Sequence, residues 1–454
     1  MKLLRILLSF ALTCLLLFGS PIAAFAFCGF YVAKADASLY NKASQVVIAR
    51  DDKRTILTMA NDYQGELKDF ALVVPVPVLL EKEQVHIGDR KIIERLDAFS
   101  APRLVEYFDS DPCAQYFYDL ESKNQPTQSS TDSGGARRRL DELGVTVEAQ
   151  FTVGEYDILI LGAKESDGLE TWLTENGYRI PPGASELLQP YIRQNMKFFV
   201  AKVNLGEQQK TGLQYLRPLM MAYESPKFML PIRLGMVNAS GDQDLLVYIL
   251  SPKGQAEVIN YRTVKVPSDA EIPVYVKQTF PDFYKAMFKT AYNREDRKVA
   301  FMEYAWDMSS CDPCSAEPLS QEELKKAGVF WLDTPSVNDG VPTFRSRRPQ
   351  PTSDRVFITR LHVRYSRDKF PEDLIFKETS NNEFFQGRYI LRHPFEGTAA
   401  CETGKQYKQA LPARFEQEAQ TLVKLTGWNI WEIRRKMNIS PATQEIPFWR
   451  RIWH

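Results

Sequence analysis

The chain has 454 residues, 57 Lys+Arg against 57 Asp+Glu, and 44% hydrophobic residues. That length suffices for two or three domains around a large core. A net charge of zero removes the electrostatic case for nucleic acid or an anionic lipid surface as the main partner.

Residues 1–26 read as a secretory signal peptide. Lys2 and Arg5 make a short positive start, and residues 6–18 are apolar apart from Ser9 and Thr13. Gly19-Ser20-Pro21 breaks the run, and Ala24-Phe25-Ala26 fits an A-x-A cleavage site. The apolar run is short beside the ~20 residues that a membrane span needs. Phe27 is bulky where lipidation at Cys28 would want a small residue. No later stretch is long and apolar enough to cross a bilayer. The expectation is a cleaved chain that does not span a membrane and works outside the cytoplasm, in the periplasm or secreted. Cys14 leaves with the signal. Cys28, Cys113, Cys311, Cys314 and Cys401 remain as disulfide candidates for an oxidising compartment.

Residues 45–50 and 54–60 are β-branched or apolar runs, and Asp51-Asp52-Lys53 between them suits a hairpin loop. Residues 70–78 form a third Val-rich run carrying Pro75 and Pro77, which limit its ladder. Three such runs predict an antiparallel meander. Cys28-Gly29-Phe30-Tyr31-Val32, the strand and turn at 46–52, Asn61-Asp62-Tyr63-Gln64-Gly65 and Phe70-Ala71-Leu72-Val73-Val74-Pro75-Val76-Pro77 together resemble DUF2330, a family of secreted bacterial proteins of unknown function. The likeness continues through Trp172-Leu173-Thr174-Glu175-Asn176-Gly177-Tyr178, the run 197–203 and Cys311-Asp312-Pro313-Cys314. The resemblance implies export and carries over no catalytic residue.

Residues 100–108 suggest a short helix. Residues 122–139, rich in Ser, Thr, Gln and Gly and ending in three arginines, form a surface loop that cannot bury a core. Paired strands are expected at 145–152 and 156–161, then helices at 166–175 and 184–195 and strands at 198–203, 227–234 and 245–250. Pro267 to Pro273 marks the expected boundary between a β-rich domain, 27–268, and a mixed C-terminal domain, 269–454. The second contains a helix at 279–293, a strand at 298–305, a loop at 340–355, strands at 356–365 and 385–392, and a helix after Pro412 ended by Gly427. Asn429 caps a shorter helix, and Trp428, Trp431, Trp449 and Trp453 crowd the end, where packing onto the domain is the simplest use for them. The fold class is therefore α+β: an antiparallel β-rich N-terminal domain with inserted helices, and a mixed α/β C-terminal part ending in helices.

Two sites stand out. Cys311-Asp312-Pro313-Cys314 lets two sulfurs meet at one turn, and the helix behind it opens on a Ser320/Glu323 capping box. That cap comes six residues after Cys314, and Asp312 disfavours a thiolate. The pair reads first as structural disulfide cysteines and second as weak redox candidates for exchange. Cys28 with Cys113 is an expected bridge, because the two flank the meander. The second site is a strand face. Residues 357–365 alternate, with Arg360, His362 and Arg364 on one side, and residues 385–393 place Arg388 and Arg392 alike. If the two strands pair, like charges share one surface and need compensation. Carboxylates among Glu372, Asp373, Glu378 and Glu383 can supply it, or a bound anion can.

G-x-S-x-G, H-E-x-x-H and a phosphate loop are absent from the sequence. His86, His362 and His393 stand alone, and no residue set calls for a metal or cofactor. The leading reading is an exported, non-catalytic binding or structural module held by disulfides, with an anionic or cell-envelope ligand possible. Thiol–disulfide exchange and anion or acidic-glycan binding are the alternatives.

Overall fold

The computed structural model describes residues 30–33, 40–64, 70–114, 146–162, 166–175, 183–211, 215–236, 241–310, 312, 316–333 and 355–439. These build an α+β protein in four layers, with two sheets face to face and helices outside each.

A nine-stranded central sheet runs in the order Arg262–Lys265, Val299–Asp307, Phe357–Tyr365, Gln243–Ser251, Tyr40–Asp51, Arg54–Gln64, Leu219–Glu224 and Val85–Ile87, with Phe385–Gln386 added beside Val299–Asp307. A five-stranded sheet runs Phe30–Ala33, Phe70–Val76, Lys197–Val203, Tyr156–Gly162 and Thr146–Val153. Their facing sides make the main core. Val46, Ile48, Leu57, Leu245, Val247 and Leu361 meet Leu72, Val74, Ile158, Ile160 and Phe199 there. The alternate residues of each strand face helices, as a period of two requires. Val47, Tyr248 and Ile358 pack on Ile92, Leu96 and Phe99 of the helix Arg90–Ser100. Ala71, Val73 and Val200 pack on Leu173 and Leu188, from the helices Ser166–Glu175 and Ala184–Arg193. A fourth apolar cluster joins the helices Phe280–Arg294, Glu402–Thr426 and Ile430–Lys436 to one end of the central sheet.

The hairpin Tyr40–Asp51/Arg54–Gln64 forms as expected, with Asp52 at φ 50° in its tight turn. The meander does not. Phe70–Val76 leaves its neighbour and pairs with Lys197–Val203 and Phe30–Ala33 instead. It is buried on both faces, Ala71 and Val73 at 0% and Val74 at 0%, so it needs a middle position. The place beside Arg54–Gln64 goes to Leu219–Glu224, a strand that the sequence reading missed.

The expected helix at 100–108 is a strand. Pro102 holds Ala101 extended (φ −64°, ψ 145°), and Arg103–Phe108 then pairs in parallel with Arg388–His393. Only Met229–Leu230 of the expected strand 227–234 is extended, because Pro231 ends it. The last long helix starts at Glu402, ahead of Pro412, which sits exposed within it where water can reach the carbonyl that loses its bond. Gly427 at φ 73° and Asn429 close and open the final helices as expected. Trp428 packs on the fourth cluster, whereas Trp431 is 63% exposed.

The stretch Pro267–Pro273 does not divide two sheets. The central sheet takes Gln243–Ser251 from before it and Val299–Asp307 and Phe357–Tyr365 from after it. Residues 1–26, expected as a signal peptide, residues 122–139 and 340–354, expected as loops, and Trp449 and Trp453 lie outside the described residues.

Candidate functional site

Arg360, His362 and Arg364 point to the helix side of the central sheet, since Phe357, Leu361, Val363 and Tyr365 fill the main core. Their strand lies between Val299–Asp307 and Gln243–Ser251. It does not pair with Arg388–His393, which belongs to a separate three-stranded sheet with Ala270–Glu271 and Arg103–Phe108. The basic face expected from those two strands is thus split between two places.

A register break between Met302 and Tyr304 turns Glu303 towards the arginine. Bulges re-aim a side chain in this way. Glu303, 1% exposed, accepts from Arg360 Nε at 2.6 Å, from His362 Nδ1 at 2.8 Å and from the Tyr284 hydroxyl. His362 Nε2 lies 3.1 Å from Asp244 Oδ1. Arg364, directly opposite Asp244 in the register, grips that carboxylate with both Nε (2.7 Å) and Nη2 (2.8 Å). Arg360 Nη1 reaches Asp97 Oδ1 at 2.7 Å, and Asp97 also accepts from the Tyr248 hydroxyl at 2.8 Å. Phe288 stacks on the imidazole at 3.9 Å, with the Arg364 guanidinium 4.9 Å from the same ring. Three cations therefore meet three carboxylates, each cation placed by one strand and the carboxylates by two strands and a helix.

Burial alone would strip the charge from His362. Glu303 and Asp244 outweigh it and hold the imidazole protonated, its pKa raised to about 9. Glu303 likewise faces a desolvation penalty, which Arg360 and His362 overcome, bringing it down to about 2. Burial also opposes the charge on Asp244, but His362 and Arg364 keep that carboxyl well below the usual range. A histidine charged on both sides cannot serve as a general base near neutral pH. The cluster fixes the register of three strands and the seating of two helices.

The compensating carboxylates are not those the sequence suggested. Asp373 accepts from Tyr191 Oη at 2.6 Å, Glu378 pairs with Lys253 at 3.1 Å and Glu383 with Lys265 at 2.9 Å. Arg388 pairs with Asp269 at 2.5 Å, and Arg392 with Glu271 at 2.9 Å and Asp109 at 3.6 Å. All five candidate anion-binding residues are thus engaged by internal carboxylates. Glu303, Asp244, Asp97 and Tyr284 escaped the sequence reading. One signal was present: Glu303 interrupts the apolar run of Val299–Asp307.

Of the cysteines, Cys113 bonds Cys401, 288 positions away, and not Cys28. Residue 113 lies just past the edge strand Arg103–Phe108, and Cys401 caps the helix Glu402–Thr426, its sulfur accepting from Gly404 N at 3.2 Å. A bridge between elements far apart in sequence follows from packing and not from flanking. Cys28, Cys311 and Cys314 lie outside the described residues. Asp312 is described, and it accepts from Tyr304 Oη at 2.9 Å and Gln386 Nε2 at 2.8 Å. The three histidines among the described residues, of four in the sequence, stand apart. His86 is exposed on an outer strand, His362 is buried, and His393 stacks on Phe108 beside Glu106. Among the described residues no group of three His, Cys, Asp or Glu could hold a metal ion, and no helix is long and apolar enough to cross a membrane.

Two layered sheets, a buried charge cluster and one long-range disulfide define a cross-linked α+β protein. The family model DUF2330, described as an uncharacterized protein conserved in bacteria, matches residues 22–377, and the chain belongs to that family. No curated protein and no solved structure matches.

Proposed function

We propose that this protein is an exported, non-catalytic binding or structural module whose fold is locked by a disulfide in an oxidising compartment. The Cys113–Cys401 bridge carries the reading. Disulfides persist outside the cytoplasm and are rare within it, and residues 1–26 have the pattern of a cleaved leader. The engagement of Arg360, His362 and Arg364 by Glu303, Asp244 and Asp97 supports a scaffold role for that cluster. Asp312 is held by Tyr304 and Gln386, and its carboxylate next to the thiols disfavours the thiolate that exchange chemistry would need.

The test is fractionation of a bacterial host expressing the full chain, with mass mapping under non-reducing conditions. A chain beginning at Phe27, found outside the cytosol and yielding a linked Cys113–Cys401 peptide, is the expected result. A functional chain that keeps its leader in the cytosol with both thiols free would overturn the proposal. Thiol titration addresses the exchange alternative: Cys311 and Cys314 should stay unreactive under mild reduction.

A further inference from the structure

We propose that a cleft between the start of the helix Arg90–Ser100 and the last turn of the helix Gln321–Lys326 binds a small acidic saccharide, a sugar acid or sugar phosphate. The cleft measures about 550 Å3. That lies within the range of about 300–1,000 Å3 typical of small-molecule sites and leaves room for one or two sugar rings. Its charged lining is Arg90, Arg217, Lys325 and Lys326 against Asp89. The cations come from three separate parts of the chain, so the fold assembles them.

These groups are not equally committed. Arg217 is fixed by the buried Glu155, which takes Nη2 at 2.6 Å and Nε at 3.0 Å as well as the Arg217 backbone N–H. It forms a rigid wall. Arg90 and Lys326 pair at the surface, with Glu94 at 3.4 Å and Glu322 at 2.7 Å, whose side chains are 62% and 78% exposed. Exposed pairs of this kind contribute little, so a better-placed anion can displace them. Asp89 is occupied in accepting the Lys91 N–H as the helix cap. Its carboxylate offsets the positive end of that helix, so the cleft's net positive charge comes from the side-chain cations.

Tyr215 decides the class of ligand. The residue is 39% exposed and lies on the cleft wall, with the Arg90 guanidinium over its ring, 5.0 Å from the centroid. The guanidinium lies over one face of the ring, so the remaining ring surface offers apolar contact to a sugar and the guanidinium a fork for its carboxylate or phosphate. A bare anion would use the cations and leave the ring idle.

This deepens the binding half of the function proposed above, and it can be tested apart from export. Purified oxidised protein is titrated by calorimetry at fixed ionic strength with glucuronate and glucose 6-phosphate, with glucose and inorganic phosphate as controls. Both acidic sugars should bind saturably, glucose should not, and phosphate should bind more weakly. The double substitution Arg90→Gln with Lys326→Gln should weaken both sugars by about tenfold or more. Tyr215→Ala should weaken the sugars and leave phosphate unchanged, and Lys253→Gln, outside the cleft lining, should change nothing. If the double variant unfolds early in urea, Lys326→Gln alone serves, since its side chain is 53% exposed. No saturable binding of either sugar, equal affinity in the variants, or phosphate as tight as glucose 6-phosphate would each overturn the proposal. A cytosolic chain in the fractionation test would leave this result standing.

Discussion

His362 carries a charge because two carboxylates flank it, and that makes the stability of the fold depend on pH at both ends. Its folded pKa of about 9 lies above the ordinary 6.5. Its contribution is complete below 6.5 and is lost as pH rises through about 9. Glu303 behaves oppositely. Brought down from 4.5 to about 2, it contributes fully above 4.5 and loses that contribution as pH falls through about 2. Between 4.5 and 6.5 both are in place. Urea midpoints measured from pH 3 to 10 should therefore fall from pH 6.5 to 9 in the native chain, and His362→Gln should flatten that limb. A midpoint that climbs over the same interval would refute the protonated histidine. Glu303→Gln leaves Arg360 buried without its main counter-charge and should cost about 3–5 kcal/mol in the same measurement. The alternation of residues 357–365 told which residues turn away from the core. It could not tell what they meet, because Asp97, Asp244 and Glu303 come from elements more than 50 positions away.

Single elements were legible where the cause was local. The Ser320/Glu323 capping box closes as expected, Ser320 Oγ accepting the Glu323 N–H at 3.2 Å. Gly427 ends its helix in a left-handed conformation, and a Cβ added there would meet nothing nearer than the Thr290 hydroxyl at 4.0 Å. Gly427→Ala should thus carry only the backbone penalty, about 1 kcal/mol, read as a lower thermal midpoint. Elements were illegible where partners decide them. Arg103–Phe108 looks helical until Arg388–His393 is placed beside it. Phe70–Val76 is plainly a strand, but its sheet is chosen by burial on both faces. The break at Glu303 has no local signature beyond one acid in an apolar run.

At the level of the whole molecule, the Cys113–Cys401 bridge closes a loop of most of the chain. Cys113→Ser with Cys401→Ser keeps an oxygen to accept the Gly404 N–H and removes only the cross-link. The pair of substitutions should lower stability by about 2–4 kcal/mol, and reductant should lower the native protein to the same value and the variant not at all. The strand order shows why the domain boundary could not be read from proline spacing. Gln243–Ser251 sits between Tyr40–Asp51, laid parallel to it, and Phe357–Tyr365. A fragment ending at residue 268 should show no cooperative unfolding transition by circular dichroism, since its widest sheet would lack Phe357–Tyr365 along a nine-residue seam.

That interleaving sets a timetable. A ribosome that has made the first three hundred residues has supplied only one side of the seam, so the widest sheet cannot yet close. The central sheet is joined across its middle only once the segment ending at Tyr365 has emerged, so its closure is a late event in synthesis.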